Sequence, residues 1–289
     1  MGSLGPGDLV LCSGTLPRHT AFAARLAAAA AGGYAGISLW GRDYAAARAR
    51  GLTDGEMLAM VADHGLAVAE VDPAWWWTPG AAGVRIPPEL DPVDVFRFGE
   101  AELLGMAERM QARSINATDV LGGAWGAEEA AEAFAGLCDR AAERGLLVHL
   151  EWLAWSRIPD LATAWEIVRL ADRPNGGLTV DAWHCTRTGT TAADLLTLPG
   201  DRVLAIQVDD GPLAPEDDLV EATLHHRLLP GDGEFDLGGY LGALQAIGTT
   251  APVGVEVFSD DLHARGPVAA AVAAAVATRA VLDGLRASG

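Results

Sequence analysis

Residues 147–184 read LVHLEWLAWSRIPDLATAWEIVRLADRPNGGLTVDAWH, and the order of apolar and polar positions in that stretch decides the fold. Leu147–Trp152 is a short β-rich run, Leu161–Ala171 is expected as a helix, and Leu178–Ala182 as a second strand. Gly176 and Gly177 stand between that helix and the second strand, where one left-handed residue is often needed. Strand, helix and strand in this order make two parallel strands joined by a crossover helix.

The same unit recurs on both sides. Further strands are expected over Asp8–Ser13, Gly36–Trp40, Ala67–Asp72, Ser114–Thr118, Val203–Val208 and Val253–Val257. Helices are expected near Ala21–Ala31, Asp54–Asp63, Val95–Arg109, Ala127–Arg144, Ala192–Leu198, Leu237–Ala246 and Pro267–Leu285. Thr53 and Glu56 have the spacing of a capping box, and Gly65 and Gly145 occupy the same helix-to-strand position as Gly176 or Gly177. Eight strands alternating with helices, in 289 residues of which half are hydrophobic, predict an α/β protein: one (β/α)8 TIM barrel domain over residues 1–289.

Composition narrows the function. With 39 acidic against 20 basic residues the net charge is −19, which repels nucleic acid and anionic membranes. Every basic residue is arginine, so a Schiff-base lysine and a P-loop are both excluded. Cys12, Cys138 and Cys185 are few and not paired by spacing, which suits a reducing compartment. Met1–Leu16 lacks a basic leader, and the Ala/Val run Val268–Ala277 falls well short of the roughly 20 residues that cross a bilayer. The expectation is a cytoplasmic protein acting on a small molecule, without nucleic-acid or membrane partners.

Four apolar runs in the second half each carry a side chain suited to a hard metal ion: Glu151, Asp181, Gln207 and Glu256, spaced 30, 26 and 49 residues apart. All fall at or near the C-terminal ends of their strands, where the active site of such a barrel lies. Three carboxylates and one amide carbonyl form an all-oxygen set, which favours Mn²⁺ or Mg²⁺.

These residues carry a resemblance. Glu151, Asp181-x-x-His184, Gln207, the segment Arg227-x-x-Pro230-Gly231-x-Gly233-Glu234 and Glu256 resemble the xylose isomerase-like TIM-barrel superfamily of sugar phosphate isomerases and epimerases, inosose isomerases and sugar-type 3-dehydroshikimate dehydratases. The resemblance covers the last four strands closely and the first four in general shape. It implies one divalent ion on Glu151, Asp181, Gln207 and Glu256, with Glu151 and Glu256 flanking the substrate as acid and base. His184 would orient or protonate a substrate oxygen, Arg227 would hold a substrate oxygen or carboxylate, and the protein would form dimers or tetramers. The sugar isomerases usually have histidine where this chain has Gln207, and glutamine there is similar to the dehydratase branch.

The expected activity is therefore a metal-dependent isomerase or epimerase that removes a proton next to the carbonyl of a sugar-like or ring-containing hydroxyketone. A dehydratase of a cyclic hydroxyketone remains as an alternative, as does a metal-free glycoside hydrolase or a binding barrel. Eight of nine tryptophans lie at or just beyond strand ends, and Trp40, Trp76 and Trp183 are candidates for an apolar wall that binds substrate. His149 shares the inward face of Glu151 by period two and reads as a packed interior residue. Asp209 reads as a loop cap, His225 and His226 as loop residues, and Cys185 has no partner that would make it a nucleophile.

Overall fold

The computed structural model describes residues 4–288 except 82–83, 85, 87–90, 92–93, 122 and 215–216. Met1–Ser3, where the stretch read for a leader begins, lie outside the described residues. Eight strands form in chain order: β1 Leu9–Leu11, β2 Gly36–Trp40, β3 Ala67–Ala74, β4 Ser114–Ala117, β5 Leu147–Leu150, β6 Gly176–Asp181, β7 Val203–Val208 and β8 Val253–Val255. Each pairs in parallel with the next, and β1 pairs with β8 to close the barrel. All eight expected strands are present, most of them a residue or more shorter at an end.

Period-two alternation builds two layers from these strands. Ile37 and Leu39, Ile115 and Ala117, Val148 and Leu150, Leu178 and Val180, and Val253 and Val255 pack in the main apolar core. The residues between them (Ser38, Ser114 and Asn116, His149, Thr179, Gly254) take the opposite face of the strand, inside the barrel. Continuing each inward row past the core brings Asp72, Thr118, Glu151, Asp181, Gln207 and Glu256 to the C-terminal rim, all buried. A slip of one residue in any strand would turn such a group outward.

Among the described residues twelve α-helices accompany the strands: α1 Phe22–Gly32, α2 Gly41–Ala49, α3 Asp54–Asp63, α4 Glu100–Arg109, α5 Ala127–Ala142, α6 Leu161–Ala171, α7 Ala182–Thr188, α8 Ala192–Leu195, α9 Leu219–His225, α10 Leu237–Ala246, α11 Asp260–His263 and α12 Pro267–Ser288. The Thr53–Glu56 capping box opens α3, with both reciprocal bonds made. Gly65 and Gly145 adopt φ of +69° and +71°, as their positions require. Gly176 and Gly177 do not; Asp172 takes the left-handed conformation after α6 instead. Gly177 serves a different need, because a Cβ there would meet the Arg202 carbonyl.

Helices α2, α7, α9 and α11 were not expected. Three are single or double turns lodged in the loops after β6, β7 and β8, and side chains cap them: Asp181 caps α7, Asp218 caps α9 and Ser259 caps α11. The run Val268–Ala277 belongs to the 22-residue α12, which by length and mean hydropathy is apolar enough to cross a membrane. Ala270, Ala271, Ala274 and Ala275 bury one of its faces in the main core, where the Ala271 carbonyl accepts a bond from Tyr34.

Candidate active site

The inward side chains of β3 to β6 form a polar chain rather than an apolar plug. His149 bonds through Nδ1 to Thr179 Oγ1 (2.6 Å) and through Nε2 to Ser114 Oγ (2.9 Å), with Glu70 Oε2 at 3.2 Å. Thr179 Oγ1 donates to Asn116 Oδ1 (3.4 Å), and Asn116 Nδ2 donates to Glu151 Oε2 (2.6 Å). His149 is thus the packed interior residue that its register implied. Its partners run stepwise to Glu151 and fix that carboxylate on one oxygen.

The free oxygen of Glu151 faces a small cluster. His184 Nε2 lies 3.8 Å from Glu151 Oε1 and 3.7 Å from Asp181 Oδ2, too far for hydrogen bonds but close enough for one ion to touch all three. These three donors fall within 4.8 Å of one another. The aspartate and histidine meet because Asp181 ends β6 and caps α7, placing His184 on the first turn of that helix. Gln207 on β7 pairs in register with Asp181, and its buried Oε1 has no protein partner.

Arg227 sets the charge balance. It is fully buried, and its Nη1 donates to Asp209 Oδ2, to Asp181 Oδ2 (3.1 Å) and to the Glu256 carbonyl (3.3 Å), with Glu256 Oε2 at 3.7 Å. Trp183 and Phe258 lie against the guanidinium, 5.3 and 5.0 Å from its carbon. Asp209 is therefore not a loop cap but one of the anions this arginine holds. Glu256, expected as the fourth metal ligand, has its Oε2 3.7 Å from Arg227 Nη1 and is not one of the three groups that fall within 4.8 Å of one another.

Burial, reinforced by the charges of Glu256 and Asp181, pushes the Glu151 carboxyl well above the ordinary carboxylate range. Burial also raises Glu256, to about 8, although Arg227 pulls the other way. Asp181 is the exception: burial is outweighed by Arg227, His184 and its hydrogen bonds, so its carboxyl is held low. Burial lowers His184 to about 4, which leaves a neutral imidazole near pH 7. That form binds metals and does not give up a proton, so the structure puts His184 with the ligands rather than with the acids.

A divalent cation fits these residues. Buried carboxylates outnumber the fixed positive charge, and Gln207 Oε1 is buried without a partner among the described residues. Glu151, Asp181, His184 and Gln207 are the groups that would hold it.

Beside the cluster lies a cavity of about 290 Å³, walled by Trp40, Trp75, Phe96, Trp155 and Phe258 and carrying Asp72, Glu151, His184, Arg227 and Glu256. Trp40 is where the sequence suggested. Trp76 and Trp183 are not among the lining residues. Trp76 packs outside the cavity on the Trp40–Trp75–Val95 group, and Trp183 is fully buried, with Nε1 donating to Thr223 and Arg187 over its ring. His225 meets Asp260 at 3.1 Å, His226 forms a backbone bridge with Ser259, and neither lines the cavity. Burial lifts the Cys185 thiol far above its ordinary value, consistent with its reading as chemically inert.

Sequence reasoning missed Asn116, Asp72, Trp75 and Thr118. Asn116, Asp72 and Thr118 carry the signal that identified Glu151, following the inward parity of their strands to the rim; Trp75 does not, and stands just beyond the end of β3. Glu70 and Asp72, two residues apart in one strand, mark that parity in β3.

Comparison with known proteins agrees with this geometry. The family described as xylose isomerase-like TIM barrel matches residues 26–281. The chain is 30% identical over 262 residues to a 3-dehydroshikimate dehydratase of Pseudomonas putida, covering 88% of this chain and 38% of that protein. It is 30% identical over 129 residues to an inosose isomerase of Bacillus subtilis, covering 44% of this chain and 45% of that one. The chain thus spans less than half the length of either. The crystal structure of an IOLI protein with a zinc atom superposes with a TM-score of 0.81 at 18% identity over 96% of this chain and 99% of that one, a likeness of fold. The chain belongs to the xylose isomerase-like TIM barrel family.

Proposed function

We propose that this chain is a divalent-metal-dependent isomerase or epimerase that transfers a proton next to the carbonyl of an uncharged, ring-shaped hydroxyketone. The observation that carries this reading is a division of labour between two buried carboxylates on one cavity. Glu151 belongs to the ion-binding cluster, and Glu256 stands outside it on the cavity wall. When bound, a divalent ion polarises the substrate carbonyl and stabilises the charge left by the departing proton. Glu256 takes that proton and returns it to the neighbouring carbon for isomerisation; epimerisation needs a second group to deliver a proton to the opposite face, for which Glu151 on the same cavity is the candidate. A carboxyl raised to about 8 suits the task, since it is strong enough to accept a proton and weak enough to release it near neutral pH. Oxygen donors favour Mn²⁺ or Mg²⁺, and His184 also admits zinc.

The charge of the cavity supports a neutral substrate. Among the described lining residues Arg227 is the one arginine, and Asp181, Asp209 and Glu256 already share it. A substrate carboxylate would enter a pocket that also holds Asp72, Glu151 and Glu256. The apolar rings suit the faces of a carbocycle or sugar.

A second reading, dehydration of 3-dehydroshikimate or a similar ring, is favoured by Gln207 and by the 262-residue similarity to the Pseudomonas dehydratase. Both reactions pass through removal of the same kind of proton and differ in what leaves afterwards. Protein freed of metal and reloaded with Mn²⁺, Mg²⁺ or Zn²⁺ should be given an inosose in heavy water and, separately, 3-dehydroshikimate. Deuterium entering the inosose without loss of water, abolished by EDTA, supports the isomerase. A conjugated, ultraviolet-absorbing product from 3-dehydroshikimate selects the dehydratase. Turnover that survives EDTA refutes both.

A further inference from the structure

The cavity has a second set of polar groups, on the β3–β4 side of the metal-binding cluster. β3 pairs with β4, and β4 pairs with β5, the strand that leads to Glu151. Among the buried polar atoms at their rim that find no partner in the described residues are Asp72 Oδ1, Trp75 Nε1 and Thr118 Oγ1. All three residues line the cavity. Asp72 is 4% exposed, Trp75 8% and Thr118 2%, so bulk water does not readily compensate them. Leaving such groups unpaired disfavours the folded state, and three together on one wall of one cavity are not a packing accident.

Their chemistry is complementary to a hydroxyl group. Trp75 Nε1 only donates, the Asp72 oxygen accepts, and the Thr118 hydroxyl does both. A ring hydroxyl that donates to Asp72 and accepts from Trp75 or Thr118 satisfies each in turn. The neighbouring wall cannot supply those bonds, because Trp40, Val95 and Phe96 present apolar surface. From this geometry we infer that Asp72, Trp75 and Thr118 form a hydroxyl-recognition subsite that selects ring ketones carrying further hydroxyls beyond the one next to the carbonyl. This inference rests on the proposed hydroxyketone chemistry of the same cavity. Glu70, on the same face of β3, bonds to His149 and belongs to the barrel interior, which leaves Asp72 as the β3 carboxylate that addresses the substrate.

The test uses the full chain loaded with Mn²⁺ and two probes: 2-keto-myo-inositol, and 2-hydroxycyclohexanone, which keeps the ketone and its adjacent hydroxyl and lacks the rest. Wild type should bind the first at least tenfold more tightly by calorimetry. Asp72→Leu and Thr118→Val should each weaken 2-keto-myo-inositol about tenfold and leave 2-hydroxycyclohexanone unchanged. Both variants, freed of metal, should melt at or above the wild-type temperature, since each removes an unpaired buried polar group. Equal binding of the two probes by wild type, or undiminished preference in the variants, overturns the subsite while the hydroxyketone reading stands. A clear fall in melting temperature in either variant also overturns it, because those atoms would then serve the fold. If wild type binds neither probe, the hydroxyketone reading fails, and the subsite fails with it.

Discussion

Replacing Arg227 with methionine removes the one guanidinium that faces Asp181, Asp209 and Glu256 and keeps a similar apolar stem. All four groups are buried, so solvent cannot screen the anions left behind. Breaking a buried ion pair by removing one partner costs about 3–5 kcal/mol. For a large domain each kcal/mol shifts the melting temperature by about 2 °C or somewhat more, so metal-free Arg227→Met should melt roughly 6–10 °C below wild type. A divalent ion bound at Glu151, Asp181 and His184 restores positive charge to part of the same group. Saturating Mn²⁺ should therefore raise the melting temperature of the variant by more than that of wild type. Differential scanning calorimetry with and without Mn²⁺ measures both quantities. A variant that melts within a degree or two of wild type, or that gains no more from Mn²⁺ than wild type does, would refute Arg227 as the internal counter-charge of this site.

Gln207→Leu should weaken Mn²⁺ binding by tenfold or more in calorimetry without lowering the metal-free melting temperature, because Gln207 Oε1 bonds to nothing in the protein. Asn116→Ala should weaken Mn²⁺ about 10- to 100-fold through Glu151, whose Oε2 it holds at 2.6 Å; unchanged affinity would break that link. The metal-free protein should lose stability as pH rises. Glu256 is raised to about 8 from an ordinary value near 4.5, so the folded state holds its proton more tightly. Its contribution is complete below about pH 4.5 and is lost as the pH passes through about 8. Asp181 and His184 work in the opposite sense: Asp181 is held below its ordinary value of 3.8, and His184, lowered from 6.5 to about 4, adds stability as the pH rises to about 6.5, so the loss due to Glu256 is read above that pH. Melting temperatures from pH 7 to pH 9 check the sign, and Mn²⁺ should flatten the slope because bound metal keeps the carboxylates ionised.

The barrel was legible because each strand writes its two faces in alternation. Val148 and Leu150 turn to the helices, His149 and Glu151 to the interior, and β6 repeats the pattern with Leu178, Val180, Thr179 and Asp181. Parity fixes the face without any tertiary information, which is why four of the rim residues emerged from spacing alone. What parity cannot give is the pairing around the ring. The bond from Arg227 to Asp209 joins the residue after β7 to the segment after α9, and neither sequence neighbourhood announces the other. The short helices escaped for a related reason. In α7 the cap is Asp181, whose role as a candidate ligand masked its role as a helix start, and Ala182–Thr188 is too short to write a helical period. The tryptophans show the limit most plainly: strand-end position put Trp40 and Trp183 on equal terms, and only packing separates a cavity wall from a ring buried beneath arginines.

The central claim is that one divalent ion is held by Glu151, Asp181 and His184 with the Gln207 carbonyl beside them. An anomalous-difference map from a crystal soaked in Mn²⁺ tests it most directly. A single strong peak in contact with those side chains is the predicted result; a peak among other residues, or none at saturating metal, contradicts the account.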